Sequence, residues 1–331
     1  MTSHINPVDE QATEATSKLT LGVIGLGAMG SKLLEATIGH ADFDVAVAAD
    51  SNAASRASAS TLISGLRTVA SADEVLTDPS IDAVYIATPP ESHATLTLAA
   101  LAQGKHVFCE KPLTIQLDQG QAMVEAAKES GKICAVNFAL SDRNSIIHLE
   151  QSIRAGELGE LRGAEIRLQF PQWPREFQSH AGWLAEREQG GFIREVLSHF
   201  IYLTQRMLGT LDVKAHDVRF PDDGGSEIWL SALLTADDVP VQIHASAGAA
   251  SHENYEWYLW GTERSYLLKD CGKLSQHQGN GWQPVELPAN RGGEDTRLSL
   301  FAAAIRGAER PNLASFEEAF GVQKVVEALL S

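Results

Sequence analysis

Cysteine is scarce. The 331 residues contain three, Cys109, Cys134 and Cys271, and their spacing suits neither a metal site nor a redox pair. An odd, sparse set argues against a disulfide framework and fits a reducing cytoplasm. Positive charge is also short, with 26 Lys and Arg against 43 Asp and Glu for a formal net charge of −17. That balance disfavours nucleic acid or an anionic membrane as partner. No apolar run is long enough to span a bilayer. Residues 1–18 are polar, lack the basic start and apolar core of a signal peptide, and read as a disordered tail. The 11 histidines show no His-x-x-x-His spacing, so no metal is expected.

What is present describes a soluble globular chain of two domains, with 44% hydrophobic and 21% charged residues. From Leu19 to about residue 140, short apolar runs alternate with helical stretches. Apolar runs occur at Leu19–Ile24, Phe43–Ala49, Ala83–Ala87, His106–Cys109 and Ile133–Val136. Helical stretches occur at Ala28–Ile38, Ala53–Leu62, Ala72–Leu76, Glu91–Ala102 and Gln116–Glu129. This βα alternation predicts a parallel sheet with helices on both faces. From residue 141 the character changes. A helix at Ile146–Arg154 precedes a strand at Leu161–Phe170 and a Trp-, Pro- and Gly-rich loop at Pro171–Gly191. A helix at Ile193–Leu208 follows, and then strand-like runs to Lys269 predict a largely antiparallel sheet. Two helices finish the chain, Asp295–Arg306 and Phe316–Leu330, split by Arg310-Pro311. The last could pack back on the first domain.

The densest signal is LTLGVIGLGAMG at residues 19–30. A buried strand leads into Gly25-x-Gly27-x-x-Gly30. Gly25 permits the turn, Gly27 admits a pyrophosphate against backbone, and Gly30 lets the following helix pack close. Ala28 and Met29 open that helix, whose N-terminal N–H groups and positive dipole end face the phosphates. Twenty residues on, Asp50 ends the next strand, where a carboxylate accepts from ribose hydroxyls. This favours NAD over NADP, although Ser51-Asn52 and Arg56 would tolerate NADP. Thr88, Pro89 and His93 follow the strand at Ala83–Ala87 and would lie beside the cofactor's central region, with His93 read equally as a helix-start residue near the phosphates.

Two further stretches carry chemistry. Gly104–Leu113 delivers Glu110, Lys111 and Pro112 to a strand's carboxyl end, where the crevice of an open α/β sheet binds ligands. A lysine ammonium there stabilises an alkoxide or polarises a carbonyl. Glu110 would hold that ammonium or touch a cofactor ribose, and a cis bond before Pro112 would set the turn. The second stretch is Gly190–Gly209. Glu195 and His199 stand four apart on a helix anchored by Val196, Phe200, Leu203 and Met207. The histidine would exchange a hydroxyl proton as hydride moves. Glu195 would orient it or contact a hydroxyl. An ordinary ion pair on a helix surface is the plain alternative. Trp173, His180 and Trp183 offer sugar-facing groups from the loop, with ordinary loop packing an equal reading. Arg175 and Arg194 would suit an anionic group or simple surface pairing.

Gly25-x-Gly27-x-x-Gly30, Ala87-Thr88-Pro89-Pro90, Glu110-Lys111-Pro112 and the Gly190-Gly191 helix with His199 together resemble the glucose–fructose oxidoreductase / inositol 2-dehydrogenase / rhizopine catabolism (Gfo/Idh/MocA) family. The resemblance covers nearly everything after residue 19. It implies a Rossmann domain at 19–140 and an α/β domain with a large open sheet at 141–331. It also implies NAD(P)-dependent oxidation or reduction of a sugar, sugar derivative or cyclitol, in homodimers or homotetramers. Lys111 carries over as the catalytic lysine and His199 as the proton-transfer residue. Two departures stand out. The family's Asp-x-Gly-x-His helix reads Glu195-Val196-Leu197-Ser198-His199 here. Relatives also place arginines just after the strand that here ends in Val136-Asn137-Phe138-Ala139-Leu140, and the next arginine in this chain is Arg143. A glycoside hydrolase that retains NAD and acts by transient oxidation is one alternative. A non-catalytic NAD-sensing protein is another.

Overall fold

The computed structural model describes residues 17–178, 181–309 and 312–331. The tail expected at 1–18 lies outside them up to residue 16, as do His180 and the Arg310-Pro311 break. The first half folds as β1 (Leu19–Ile24), α1 (Ala28–Thr37), β2 (Phe43–Ala49), α2 (Ala53–Leu62), β3 (Arg67–Val69) and α3 (Asp73–Leu76). It continues with β4 (Ala83–Ile86), α4 (His93–Ala102), β5 (His106–Cys109), α5 (Leu117–Ser130) and β6 (Cys134–Val136). The strands pair in the order β6-β5-β4-β1-β2-β3, all parallel. Strand β4 is buried along its whole length, as an inner parallel strand covered on both faces must be. The sequence reading lacked β3, whose three residues are too few to show periodicity.

The second half contains α6 (Asn144–Arg154), β7 (Leu161–Phe170), α7 (Ser198–Leu208), β8 (Leu211–Arg219), β9 (Trp229–Ala236) and β10 (Val239–Ala247). β11 (Asn254–Gly261), β12 (Ser265–Lys269), β13 (Lys273–His277) and β14 (Trp282–Pro284) follow. These strands form an eight-stranded sheet, β14-β13-β12-β11-β7-β10-β9-β8, antiparallel except where β7 meets β10. Along β7 the residues Ala164, Ile166, Leu168 and Phe170 are buried while Arg162 and Arg167 are exposed. That alternation places one face on a core and leaves the other open. On the covered face, Trp257 of β11 donates to the Thr204 hydroxyl of α7 at 2.9 Å.

The chain then returns to the first sheet. α8 (Glu294–Ile305) lays Leu298, Phe301 and Ala302 against Leu21, Phe43, Tyr85 and Phe108, and Phe301 stacks 5.2 Å from Phe108. β15 (Ala314–Ser315) adds an antiparallel edge beside β6. Its Ser315 caps α9 (Phe316–Leu330) in a reciprocal box with Glu318. α9 lies against both α5 and α7, so the final helix bridges the two halves.

Candidate functional site

The glycine loop is tied down by backbone bonds. Gly25 N–H donates to Ala49 at 2.8 Å, and Leu26 N–H donates to the Asp50 carboxylate at 2.7 Å. A Cβ on Gly25, whose φ is +95°, would lie 2.6 Å from the Ala87 carbonyl, and one on Gly30 would lie 1.9 Å from the Gly25 oxygen. Both positions therefore require glycine. Gly27 differs, because among the described residues a Cβ there would meet nothing within 4 Å beyond its own neighbours in the chain. Its open approach, at the N-terminus of α1, is the space a pyrophosphate would fill. Gly27 and Ala28 are exposed there, and Met29 is half-buried.

Asp50 accepts from the N–H groups of Leu26 and Asn52, each at 2.7 Å. A carboxylate has about four acceptor sites, so capacity remains for ribose hydroxyls. Ser51 is exposed beside it, and Arg56 reaches back to the carbonyls of Asp50 and Ser51 at 2.7 and 3.0 Å. These residues fit a dinucleotide.

Thr88 and Pro89 lie at the carboxyl end of β4, half-buried and exposed respectively. His93 turns inward. It is fully buried, with ring nitrogens 2.9 Å from the carbonyl oxygens of Pro112 and Thr88. Burial pushes its pKa down. The neutral imidazole has a single N–H and donates to one of these two carbonyls, lying between the Thr88 loop and the Pro112 turn, and the Lys111–Pro112 bond is cis, as the turn suggested. Glu110 also turns inward. It accepts from Tyr85 and from Asn137 at 2.7 Å, and burial raises its pKa. Asn137 in turn donates to Glu294, which pairs with Arg297 at 2.8 Å. Glu110 therefore anchors a buried network and does not hold the lysine.

That role falls to Glu195. The Lys111 ammonium donates to the Glu195 carbonyl at 2.9 Å and forms an ion pair with its carboxylate. The carboxylate's other oxygen accepts from Gln178 at 3.0 Å and lies 3.7 Å from Arg175. Glu195 sits in a π-helical turn, Ile193–Leu197, that leads into α7, and the Ser198 N–H reaches back to the Ile193 carbonyl. Such widened turns often mark functional sites. The regular α-helical spacing expected for Glu195 and His199 is thereby altered, and Glu195 faces the lysine.

His199 opens α7, half-buried, with Phe138 edge-on at 5.5 Å. Its Nδ1 is buried and has no hydrogen-bond partner among the described residues. Its pKa lies well below the ordinary 6.5, first because of burial and then because Lys111, Arg297, Arg175 and Arg143 surround it with positive charge. The ring is therefore neutral near pH 7.

The loop aromatics have structural partners. Trp173 donates to the Leu184 carbonyl at 2.9 Å and meets Phe170 and Phe192 edge-on, while Trp183 is half-buried. Arg194 is committed to Glu327 of α9 through two bonds of 2.9 and 2.8 Å.

The sequence reading missed Glu227. Its carboxylate, 1% exposed, accepts from Ile193 N–H at 2.6 Å, at the start of the helix carrying Glu195 and His199. Burial raises its pKa to about 7. The double glycine makes room for this arrangement. A Cβ on Gly191 would lie 2.1 Å from that carboxylate, and one on Gly190 would lie 2.4 Å from the Trp183 carbonyl. Gly190-Gly191 was the available signal, though it does not identify the acid.

Residues 19–138 match the model of an oxidoreductase family with an NAD-binding Rossmann fold, and residues 146–267 match the GFO/IDH/MocA C-terminal domain. The 1,5-anhydro-D-fructose reductase of Ensifer adhaerens is 30% identical over 261 residues, covering 74% of this chain and 76% of the relative. The scyllo-inositol 2-dehydrogenase (NAD(+)) of Bacillus subtilis is 39% identical over 112 residues, 33% of this chain and 32% of the relative. A 3-ketoreductase from Actinomadura kijaniata, solved with NADP and TDP-benzene, superposes with a TM-score of 0.82 at 21% identity, covering 95% of this chain and 97% of that one. The chain belongs to the Gfo/Idh/MocA family of oxidoreductases, with that family's NAD-binding Rossmann fold in its first half.

Proposed function

We propose that this protein is an NAD-dependent dehydrogenase or reductase acting at a hydroxyl or ketone carbon of a sugar, sugar derivative or cyclitol. One observation carries the reading. The Lys111–Glu195 pair ties the end of β5 to the helix that presents His199, so an ammonium and a neutral imidazole share one site. Bound NAD would supply the hydride acceptor, and NADH the donor. Glu195 occupies two of the three ammonium donors of Lys111, through its carbonyl and its carboxylate. The remaining N–H serves the substrate oxygen and stabilises negative charge developing on it. His199 takes the hydroxyl proton at its ring nitrogen in the oxidative direction and returns it in reduction. Glu195 positions the lysine and offsets its charge.

Asp50 supports NAD over NADP, because a 2′-phosphate would meet a carboxylate. The open face of the eight-stranded sheet, with Leu233 41% exposed, supports pairing with a second copy. The test is to follow NADH absorbance with NAD and NADP against sugars, sugar acids, inositols and glycosides. Net NADH formation or consumption with a sugar or cyclitol is expected. Glycoside cleavage without net NADH would instead indicate a hydrolase. Tight NAD binding with no turnover anywhere in the panel would indicate a sensor.

A further inference from the structure

We propose that the substrate carries an anionic group, a carboxylate or a phosphate, and that Arg143 binds it. This rests on the sugar-directed reading above and narrows its substrate class.

The charges around His199 are almost all accounted for. Lys111 pairs with Glu195. Arg175 lies 3.7 Å from Glu195 and 3.8 Å from Glu253. Arg297 pairs with Asp142 at 3.1 Å and with Glu294 at 2.8 Å. Arg143 is the exception. Its one hydrogen bond runs from Nε to the Ala139 carbonyl at 3.0 Å, and among the described residues no carboxylate lies within ion-pair distance of it.

The position of Arg143 is set by the sheet. β5 and β6 run side by side, with Cys109 opposite Val136, so the segments carrying Lys111 and Arg143 leave the same edge together. Phe138, on the Arg143 segment, is the ring that stands against His199. One glycine makes room for the arginine. A Cβ on Gly292 would lie 2.7 Å from its Cγ, and Gly272 lies alongside, where a Cβ would stand at ordinary contact distance, 3.4 Å from Nη1. The residue is half-buried and its guanidinium is held at Nε, with the nitrogens of its fork left over. That planar fork matches carboxylate and phosphate oxygens.

The adjoining loop repeats the theme. Arg291, next to Gly292, has a buried Nε with no acceptor among the described residues. A buried donor without a partner is costly, and an incoming oxygen would relieve that cost. The net charge of −17 does not oppose this reading. Exposed charges farther away than about 8 Å are largely screened at physiological ionic strength, so the local arginines dominate. An anion seated here would also offset the positive charge that, after burial, contributes to the low His199 pKa.

The protein–NADH complex should be titrated calorimetrically with D-glucuronate, D-glucose 6-phosphate and D-glucose, and again as Arg143→Gln. At least one anionic sugar is expected to bind about tenfold more tightly than glucose. Arg143→Gln should abolish that advantage while leaving NADH affinity and melting temperature unchanged. The acid and phosphate arms identify which group is recognised. Equal affinity for all three sugars, no binding of either anion, or an anion preference that survives Arg143→Gln would each overturn the proposal. Turnover confined to neutral sugars would overturn it and leave the dehydrogenase reading intact. Arginine-dependent anion binding without redox turnover on any sugar would do the reverse.

Discussion

The Lys111 ammonium has two of its three donors fixed by one residue 84 positions away. Removing it should act on the transition state more than on cofactor binding. Lys111→Ala is expected to lower kcat by on the order of 10²–10³-fold while NADH affinity, read by fluorescence titration, stays unchanged. Unchanged turnover would remove Lys111 from the reaction. His199 makes a prediction about pH. Its folded-state pKa lies well below the 6.5 of a free imidazole, so the neutral base persists into mild acid. The acidic limb of kcat/KM should therefore fall well below pH 6.5, and a limb at or above 6.5 would exclude His199 as the titrating base. The sign for stability is the same. A histidine held neutral favours the fold above its unfolded pKa, and that contribution disappears as the pH falls through the folded value. At this scale the sequence revealed which residues matter better than what they touch. Glycine spacing is a local property, and Gly25 and Gly30 take the tight turn and the close helix approach that their spacing indicates. The partners of Glu110 come from neighbouring strands, Tyr85 and Asn137, which no local pattern exposes.

The helix that presents Glu195 and His199 is seated on a buried acid. Glu227 caps its first turn, where a negative charge also suits the helix dipole. The Glu227 carboxyl titrates near 7 in the fold against 4.5 in an ordinary glutamate, so the folded chain binds this proton more tightly. The stabilisation linked to that proton, about 3 kcal/mol, is fully present below pH 4.5 and is lost as pH rises through about 7. Glu227→Gln keeps the acceptor for Ile193 and carries no charge. Its melting temperature should exceed that of the parent above pH 7 and match it at about pH 4, below the unfolded pKa. Glu227→Ala should lose about 1 kcal/mol or more at both. A Gln variant that is less stable than the parent at pH 8 would contradict the assignment. Long elements were legible because periodicity accumulates along them. The strand Leu161–Phe170 and the helical run Ile193–Leu208 are found with the expected bounds, the latter with its first turn widened. β13, β14 and β15 were not legible. Lys273–His277 is mostly polar, Trp282–Pro284 has three residues, and Ala314–Ser315 has two, so pairing comes from neighbours and not from their own pattern.

Across the whole molecule, the two sheets are joined by the last two helices. α8 covers one face of the parallel sheet, and α9 reaches from α5 to α7, where Glu327 grips Arg194 beside the site. Glu327→Ala leaves a guanidinium that is 9% exposed with only carbonyl partners, and chemical denaturation should register a loss of about 1.5–3 kcal/mol. No loss would show that the bridge is incidental. The open sheet face leads to a second expectation. Light scattering should give the mass of a dimer or tetramer, and a monomer would remove the pairing proposal. The two-sheet architecture was legible from the switch between alternating βα runs and successive strands. The return of α8 to the first sheet was not, because an amphipathic helix does not announce which sheet it will cover. The central claim is that Lys111 and His199 converge on the nicotinamide, and a crystal structure of the chain with NADH tests it most directly. The account predicts both side chains facing the reactive carbon of the ring, with Glu195 still holding the lysine. A ring slot filled by protein, or either side chain turned away from that carbon, would contradict it.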